Sequence, residues 1–198
     1  KIICDTQGNM WIGTNSGLKV FHQEAQQFIT YTHHPANPGS LSSNTIYSIT
    51  QDKTGIVWIA GNGIDKYDPH KNIFQHYTHE AGNKNSLAQN IIWSFCEDDE
   101  KKIWIGGEDG PLNIFDPATK QITEFTIKDN RGNMVTNVQQ MIFHEGTFWI
   151  ASYNSGLVRY DKKSGVAKFF LGSHPSILGK VAFVKEILRD KDGTIWIG

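Results

Sequence analysis

The chain has 198 residues, long enough to bury a core, and its 19 Lys and Arg against 20 Asp and Glu leave a net charge of -1. That balance argues against a nucleic-acid or membrane-surface binder, which needs a basic excess. Aromatic residues at 12% together with 19 Gly suit an all-β chain with many tight turns, and no apolar run reaches the length of a transmembrane helix.

In chain order, the first element is the hairpin "DTQGNMWIGTNSG" from Asp5. It recurs as "DKTGIVWIAGNG" from Asp52, "DDEKKIWIGGEDG" from Asp98, "HEGTFWIASYNSG" from His144 and "DKDGTIWIG" from Asp190. The Trp-Ile pairs at Trp11, Trp58, Trp104, Trp149 and Trp196 stand 47, 46, 45 and 47 residues apart. Such a period marks a propeller, a solenoid or a helical array. Long stretches with apolar residues at i, i+3, i+4 and i+7 are missing. "KVAFVKEILRD" at 180–190 could pass as a short helix, but its register matches a stretch that alternates in the other copies.

Each unit reads instead as four extended segments. "IYSITQD" at 46–52 carries apolar groups on both faces, as suits a strand covered on both sides. An Asp-x-x-Gly turn leads to "IVWIAG", and "IDKYDP" follows a Gly-rich corner. Asp68-Pro69 and Asp116-Pro117 place Asp and Pro at the first two positions of a type I turn. The last segment is "IFQHYTH", whose Phe74 and Tyr77 recur as Phe28 and Tyr31, Ile122 and Phe125, and Val166 and Phe169.

Four antiparallel strands per unit of about 46 residues predict an all-β fold, a β-propeller. Its blades are expected near 1–33, 46–79, 91–127 and 138–171, with a partial blade at 184–198. The repeated Trp should wedge between blades, and the repeated Asp should accept backbone N–H bonds in its turn. Duplicated inner hairpins at the two ends predict an incomplete ring, a segment of a larger propeller. A start at Lys1 rather than Met leaves room for an export signal or an earlier domain. Cys4 and Cys96 should lie on opposite faces of equivalent strands, unpaired, as small buried hydrophobes.

"SLSSNTIYSITQDKTGIVWIAGNGIDKYDPHKNIFQHYT" at 40–78 and "NSLAQNIIWSFCEDDEKKIWIGGEDGPLNIFDP" at 85–117 closely resemble the two-component regulator propeller repeat. Lys101 replaces the turn Gly in the third copy, the turn before Trp149 is one residue short, and the segment before Val184 lacks the Ser-Leu and Asn pair. The resemblance implies the extracytoplasmic sensor part of a hybrid two-component histidine kinase. It further implies an oligosaccharide signal, control of polysaccharide use, action as a homodimer, and a parent chain anchored in the inner membrane. Kinase activity would belong to the parent chain, and no nucleic-acid or membrane contact is expected through this segment. A stand-alone interaction scaffold, or a propeller lyase or hydrolase, is the rival reading.

No catalytic constellation stands out. His76 and His79 in "HYTH" fall on opposite faces of a strand, which disfavours a metal site, and no phosphate loop or Ser nucleophile elbow occurs, so neither metal nor cofactor is expected. Propeller topology gathers the loops entering the innermost strands and those joining the second and third strands on one face. The candidate ligand residues there are Asn15, Asn62, Asp109, Arg131, Tyr153 and Asn154, with Trp93 beside them: amides, charged groups and aromatics suited to sugar hydroxyls and ring faces. Asn44 and Asn90 read as local caps. Tyr47 and Trp93 share one repeat position, open to the central channel or to wedge packing.

Overall fold

The computed structural model describes residues 1–69, 73–129, 131–170 and 183–198. Residues 180–182 of the stretch "KVAFVKEILRD" and Asn130 of the loop "IKDNRGNMVTN" lie outside the described residues. The chain divides into two compact units, Lys1–Ile92 and Trp93–Gly198.

The first unit holds two four-stranded antiparallel meanders. One is built from β1 (Ile2–Cys4), β2 (Met10–Thr14), β3 (Gly17–His22) and β4 (Gln27–Tyr31). The other is built from β5 (Ser48–Gln51), β6 (Val57–Gly61), β7 (Gly63–Asp68) and β8 (Ile73–Tyr77). The second unit repeats the pattern with β9 (Ile92–Glu97), β10 (Ile103–Gly107), β11 (Leu112–Asp116) and β12 (Gln121–Phe125). A second meander follows from β13 (Val138–His144), β14 (Thr147–Ser152), β15 (Gly156–Asp161) and β16 (Ala167–Phe169). A last hairpin pairs β17 (Ile187–Arg189) with β18 (Ile195–Ile197), so the stretch around 187–189 is a strand, as its register predicts. The described residues form no helix, and the all-β, blade-built fold expected from the repeat is the one observed.

Four of the five inner hairpin turns are each organised by one carboxylate. Asp98 Oδ1 accepts the backbone N–H groups of Glu100 and Lys102, both at 2.9 Å, and its Oδ2 accepts the Trp104 indole N–H at 2.9 Å. Asp5 with Trp11 (2.9 Å), Asp52 with Trp58 (2.8 Å) and Asp190 with Trp196 (2.8 Å) repeat the clamp. The backbone bonds follow from the turn reading of the Asp. The indole bond does not, although its signal is in the sequence: every one of these Asp residues precedes its Trp by six.

The clamp aims the indole at the neighbouring blade. In the first unit Trp11 meets Tyr67 edge-on at 5.3 Å, within a core that includes Leu18, Val20, Ile46 and Ile59. In the second, Trp104 contacts Phe125 at 4.9 Å and Phe148 at 4.2 Å among Leu112, Val138 and Ile150. These two are the predicted wedges, and aromatic pairs of this kind add about 0.5–1.5 kcal/mol beyond their buried area. Among the described residues Trp196 has no such partner, and it stays 61% exposed. The Gly that follows Trp-Ile has the same origin. A Cβ on Gly106 would lie 2.6 Å from Val138 Cγ1, and one on Gly13 2.6 Å from Ile46 Cγ2, so the next blade's innermost strand needs the space.

One expectation is corrected and one open reading is narrowed. Cys4 is exposed on the edge strand β1 and Cys96 is half-buried, so they are free cysteines but not a pair of core residues. Tyr47 is exposed, because it stands just ahead of β5, where its N–H donates to the Ala60 carbonyl, and it packs as no wedge.

Candidate ligand-binding face

The segments that lead into the innermost strands are fixed by side chains bonding to backbone. Asn44 Oδ1 accepts the His33 N–H at 2.7 Å while the Asn44 carbonyl accepts the Gly17 N–H at 2.7 Å. Asn90 does the same with His79 at 2.7 Å and Gly63 at 2.5 Å. Ser40 Oγ accepts the His34 N–H, Ser86 Oγ accepts the Glu80 N–H, and Leu41 and Leu87 are buried beneath them. The Ser-Leu and Asn positions of the repeat therefore tie each incoming loop to the turn between the second and third strands of the preceding blade. Asn44 and Asn90 are local caps, as their recurrence suggests.

In the first unit, Asn15 and Asn62 are exposed at the tips of the β2–β3 and β6–β7 turns. Thr14 Oγ1 holds the first tip by accepting the Ser16 N–H and donating to the Gly17 carbonyl. In the second unit Asp109 is exposed between β10 and β11, and Trp93 is half-buried in β9. Tyr153 and Asn154 stand at the β14–β15 turn. The Asn154 Nδ2 group donates to Thr136 Oγ1 at 3.0 Å, and the Tyr153 N–H donates to the Asn137 carbonyl at 2.9 Å, so the incoming loop and this turn form one surface. The Tyr153 ring is 53% exposed and stacks on Phe183, 49% exposed, at 4.9 Å with 16° between planes. Arg131 projects from the tip of a small loop hairpin. Asp129 Oδ1 accepts its N–H there, and the hairpin is rooted by the buried Ile127 and Val135. Tyr153 and Asn154 thus come together, with Phe183 as a partner that no repeat position announces.

Two charged clusters were not apparent in the sequence. Asp65, buried in β7, accepts the Ser42 N–H and Ser42 Oγ–H and faces His76 Nδ1 from β8. His76 Nε2 reaches the Pro38 carbonyl at 2.8 Å, so both ring nitrogens face acceptors. The Asp65 hydrogen bond, opposed by burial, raises the imidazole pKa above its ordinary value. Ser42 donates to Asp65 and not to His76, so this trio clasps the 34–43 loop and leaves the hydroxyl without a base. His79 Nδ1 is occupied by the Leu87 carbonyl, and among the described residues no group of three potential metal-ligating side chains converges.

The second cluster centres on Lys162, whose Nζ lies 2.9 Å from Asp98, 2.7 Å from Asp99 and 3.0 Å from Glu100. Burial opposes its charge, but the three carboxylates hold its pKa above the usual lysine range. Lys102, with Lys162 behind it, holds Glu100 down at about 2. A cavity of about 400 Å³ opens beside this node, walled by Ile114, Phe125 and Tyr160.

A family model described as "Two component regulator propeller" matches residues 1–16, 40–63 and 86–109. No curated protein matches the chain. Among solved structures, the extracellular domain of a chain assigned as a hybrid two component system from B. thetaiotaomicron is similar with a TM-score of 0.64 at 24% identity. The match covers 99% of this chain and 34% of that one. The extracellular domain of a second such system from B. thetaiotaomicron gives 0.61 at 23% identity, over 100% of this chain and 31% of the other. The Mitotic Checkpoint Complex gives 0.70 at 12% identity, over 100% and 55%. The chain spans about a third of the length of the two bacterial domains, and at these identities the likeness carries the propeller fold. The matched segments contain three of the Asp–Trp clamps, at Trp11, Trp58 and Trp104, and the loop-cap residues Ser40, Asn44, Ser86 and Asn90.

Proposed function

We propose that the chain is a ligand-binding segment of the extracellular sensory region of a two-component system, and that it is not itself catalytic. One observation carries the siting of the ligand. Tyr153 and Phe183 present a stacked, half-exposed aromatic pair on a loop surface held rigid by backbone bonds, with the Asn154 amide alongside. Such a surface suits an oligosaccharide: ring faces lie on the aromatics, and hydroxyls bond to amides and to the Arg131 guanidinium. In the same reading the protein is extracytoplasmic and dimeric, and its parent chain is a membrane-anchored histidine kinase that controls polysaccharide use. The repeat family and the two bacterial domains of similar fold support this reading. A sugar would signal only by binding one arrangement of the parent better than another.

Calorimetric titration of a panel of neutral oligosaccharides tests the siting. Tyr153→Ala is expected to weaken binding about tenfold, with Asn154→Ala and Arg131→Ala each costing less. Unchanged affinity in all three variants would remove the ligand from this face.

A further inference from the structure

On the blade face that carries the repeated Trp, the register sets two residues beside it. They are Val20 and Ile29 next to Trp11, Lys66 and Gln75 next to Trp58, and Ile114 and Thr123 next to Trp104. Next to Trp149 they are Arg159 and Lys168, two cations directly opposite one another on neighbouring strands. Like charges in that position repel, so the pair weakens the sheet unless something neutralises it.

No contact ion pair among the described residues does, and only the longer-range fields of Asp161 on Arg159 and of Asp190 on Arg189 act against it. Arg189 from β17 and His144 from the end of β13 line the same cavity, of about 550 Å³, as Arg159 and Lys168. Among the described residues no carboxylate lies within ion-pairing distance of Arg159, Lys168 or Arg189. The two acids that act on them, Asp161 and Asp190, spend their oxygens on other hydrogen bonds. Asp161 accepts the Ser164 N–H and Oγ–H, and Asp190 accepts two backbone N–H groups and the Trp196 indole. Glu145, on the rim, faces only His144, at 3.4 Å. The contrast with Lys162, which holds three carboxylates in the same unit, is sharp. Along the cavity wall Trp149 and Phe170 stack at 5.9 Å with 25° between planes.

We propose that this cavity is an oxyanion site for a sulfate or phosphate monoester borne on a flat ring. The two guanidinium forks and the lysine engage the tetrahedral oxygens, and the ring lies against the Trp149–Phe170 pair. The site lies on the strands of the fourth meander, away from the Tyr153 turn, and does not depend on that turn being a ligand site.

Calorimetry on the chain in low-salt buffer tests it, with inorganic sulfate, 4-nitrophenyl sulfate, 4-nitrophenyl phosphate and the neutral 4-nitrobenzyl alcohol as probes. Both esters are expected to bind more tightly than inorganic sulfate, the alcohol is expected not to bind, and the tighter ester names the source of the oxyanion. The double variant Arg159→Gln/Lys168→Gln is expected to lose about tenfold or more in ester affinity. Its melting temperature without ligand should equal or exceed that of the parent chain, because the cross-strand repulsion is gone. Arg189→Gln, at an exposed strand position, gives a second reading of the affinity loss should the double variant fold poorly. Equal ester affinity in the parent and the Arg189→Gln chain, or binding of the alcohol as tight as that of the esters, would overturn the proposal.

Discussion

Four of the inner hairpins and the fifth close the same strand geometry with different chemistry. The hairpins at Asp5, Asp52, Asp98 and Asp190 wrap a turn around a carboxylate that also grips the Trp indole. The β13–β14 hairpin has His144 in that place and closes through Glu145 and Gly146, both at positive φ (47° and 75°), the pattern of a two-residue type I′ turn. There the Trp is kept but the carboxylate is not, and Trp149 packs on the cluster that includes Val184 and Ile187 of the last hairpin region while it stacks on Phe170 beside Arg159. The Trp therefore serves the packing between blades, while the Asp serves the turn. The clamp joins the two roles, and the fourth meander shows that they can be separated.

That separation can be broken on purpose. Asp98 is buried and bonds two backbone N–H groups, the Trp104 indole and Lys162 at once. Asp98→Ala is expected to lower stability by about 3 kcal/mol, because it strands buried donors and a cation. His144→Ala, at the matching place of the hairpin without a clamp, should stay within about 0.5 kcal/mol. Urea midpoints of the two variants check the pair, and similar losses would deny the Asp its special role.

The third clamp carries a flaw that sharpens the comparison. Lys101 occupies the turn position at φ 63°, where the sister turns have Gly8, Gly55 and Gly193 at 82°, 89° and 87°. Lys101→Gly relieves the left-handed strain and is expected to raise stability by about 1 kcal/mol. An unchanged urea midpoint would mean that the turn absorbs the lysine without strain.

The smallest effect is in pH. Burial works against the charge on Asp5, but its bonds from Trp11 and Asn9 prevail and hold its carboxyl below the ordinary 3.8. The Trp196 indole, with two backbone N–H groups, does the same for Asp190. A depressed folded-state pKa gives stability that is fully present above the unfolded value and is lost as pH falls through the folded one. Acidification from about pH 5 to pH 2 should therefore loosen the Asp5 and Asp190 hairpins before the β13–β14 hairpin. Hydrogen exchange along the chain reads the order, and loosening of β13–β14 first would contradict it.

The fold was legible because the repeat displays it: Trp-Ile pairs recur in all five hairpins, the turn Asp in four of them, and paired apolar positions from blade to blade. The candidate site was only partly legible. Asn44 and Asn90 recur, and so their capping could be read, whereas Tyr47 shares a repeat position with Trp93 and yet is exposed. Tyr153 and Asn154 were identifiable as turn residues, but Phe183, which completes the aromatic pair, lies thirty residues further on in no repeated position. The Asp65–His76–Ser42 clasp and the Arg159–Lys168 pair depend on cross-strand register, and register is set by turn lengths that a linear pattern does not display.

The Asp–Trp clamp also has a kinetic consequence. Donor and acceptor are six residues apart, so the ring it closes costs little chain entropy and can form before any distant strand arrives. The indole it orients then waits for partners about forty residues downstream, such as Phe148 for Trp104. Folding of such a chain would run as a series of quick local closures joined by slower capture steps, each completed blade supplying the surface on which its successor condenses.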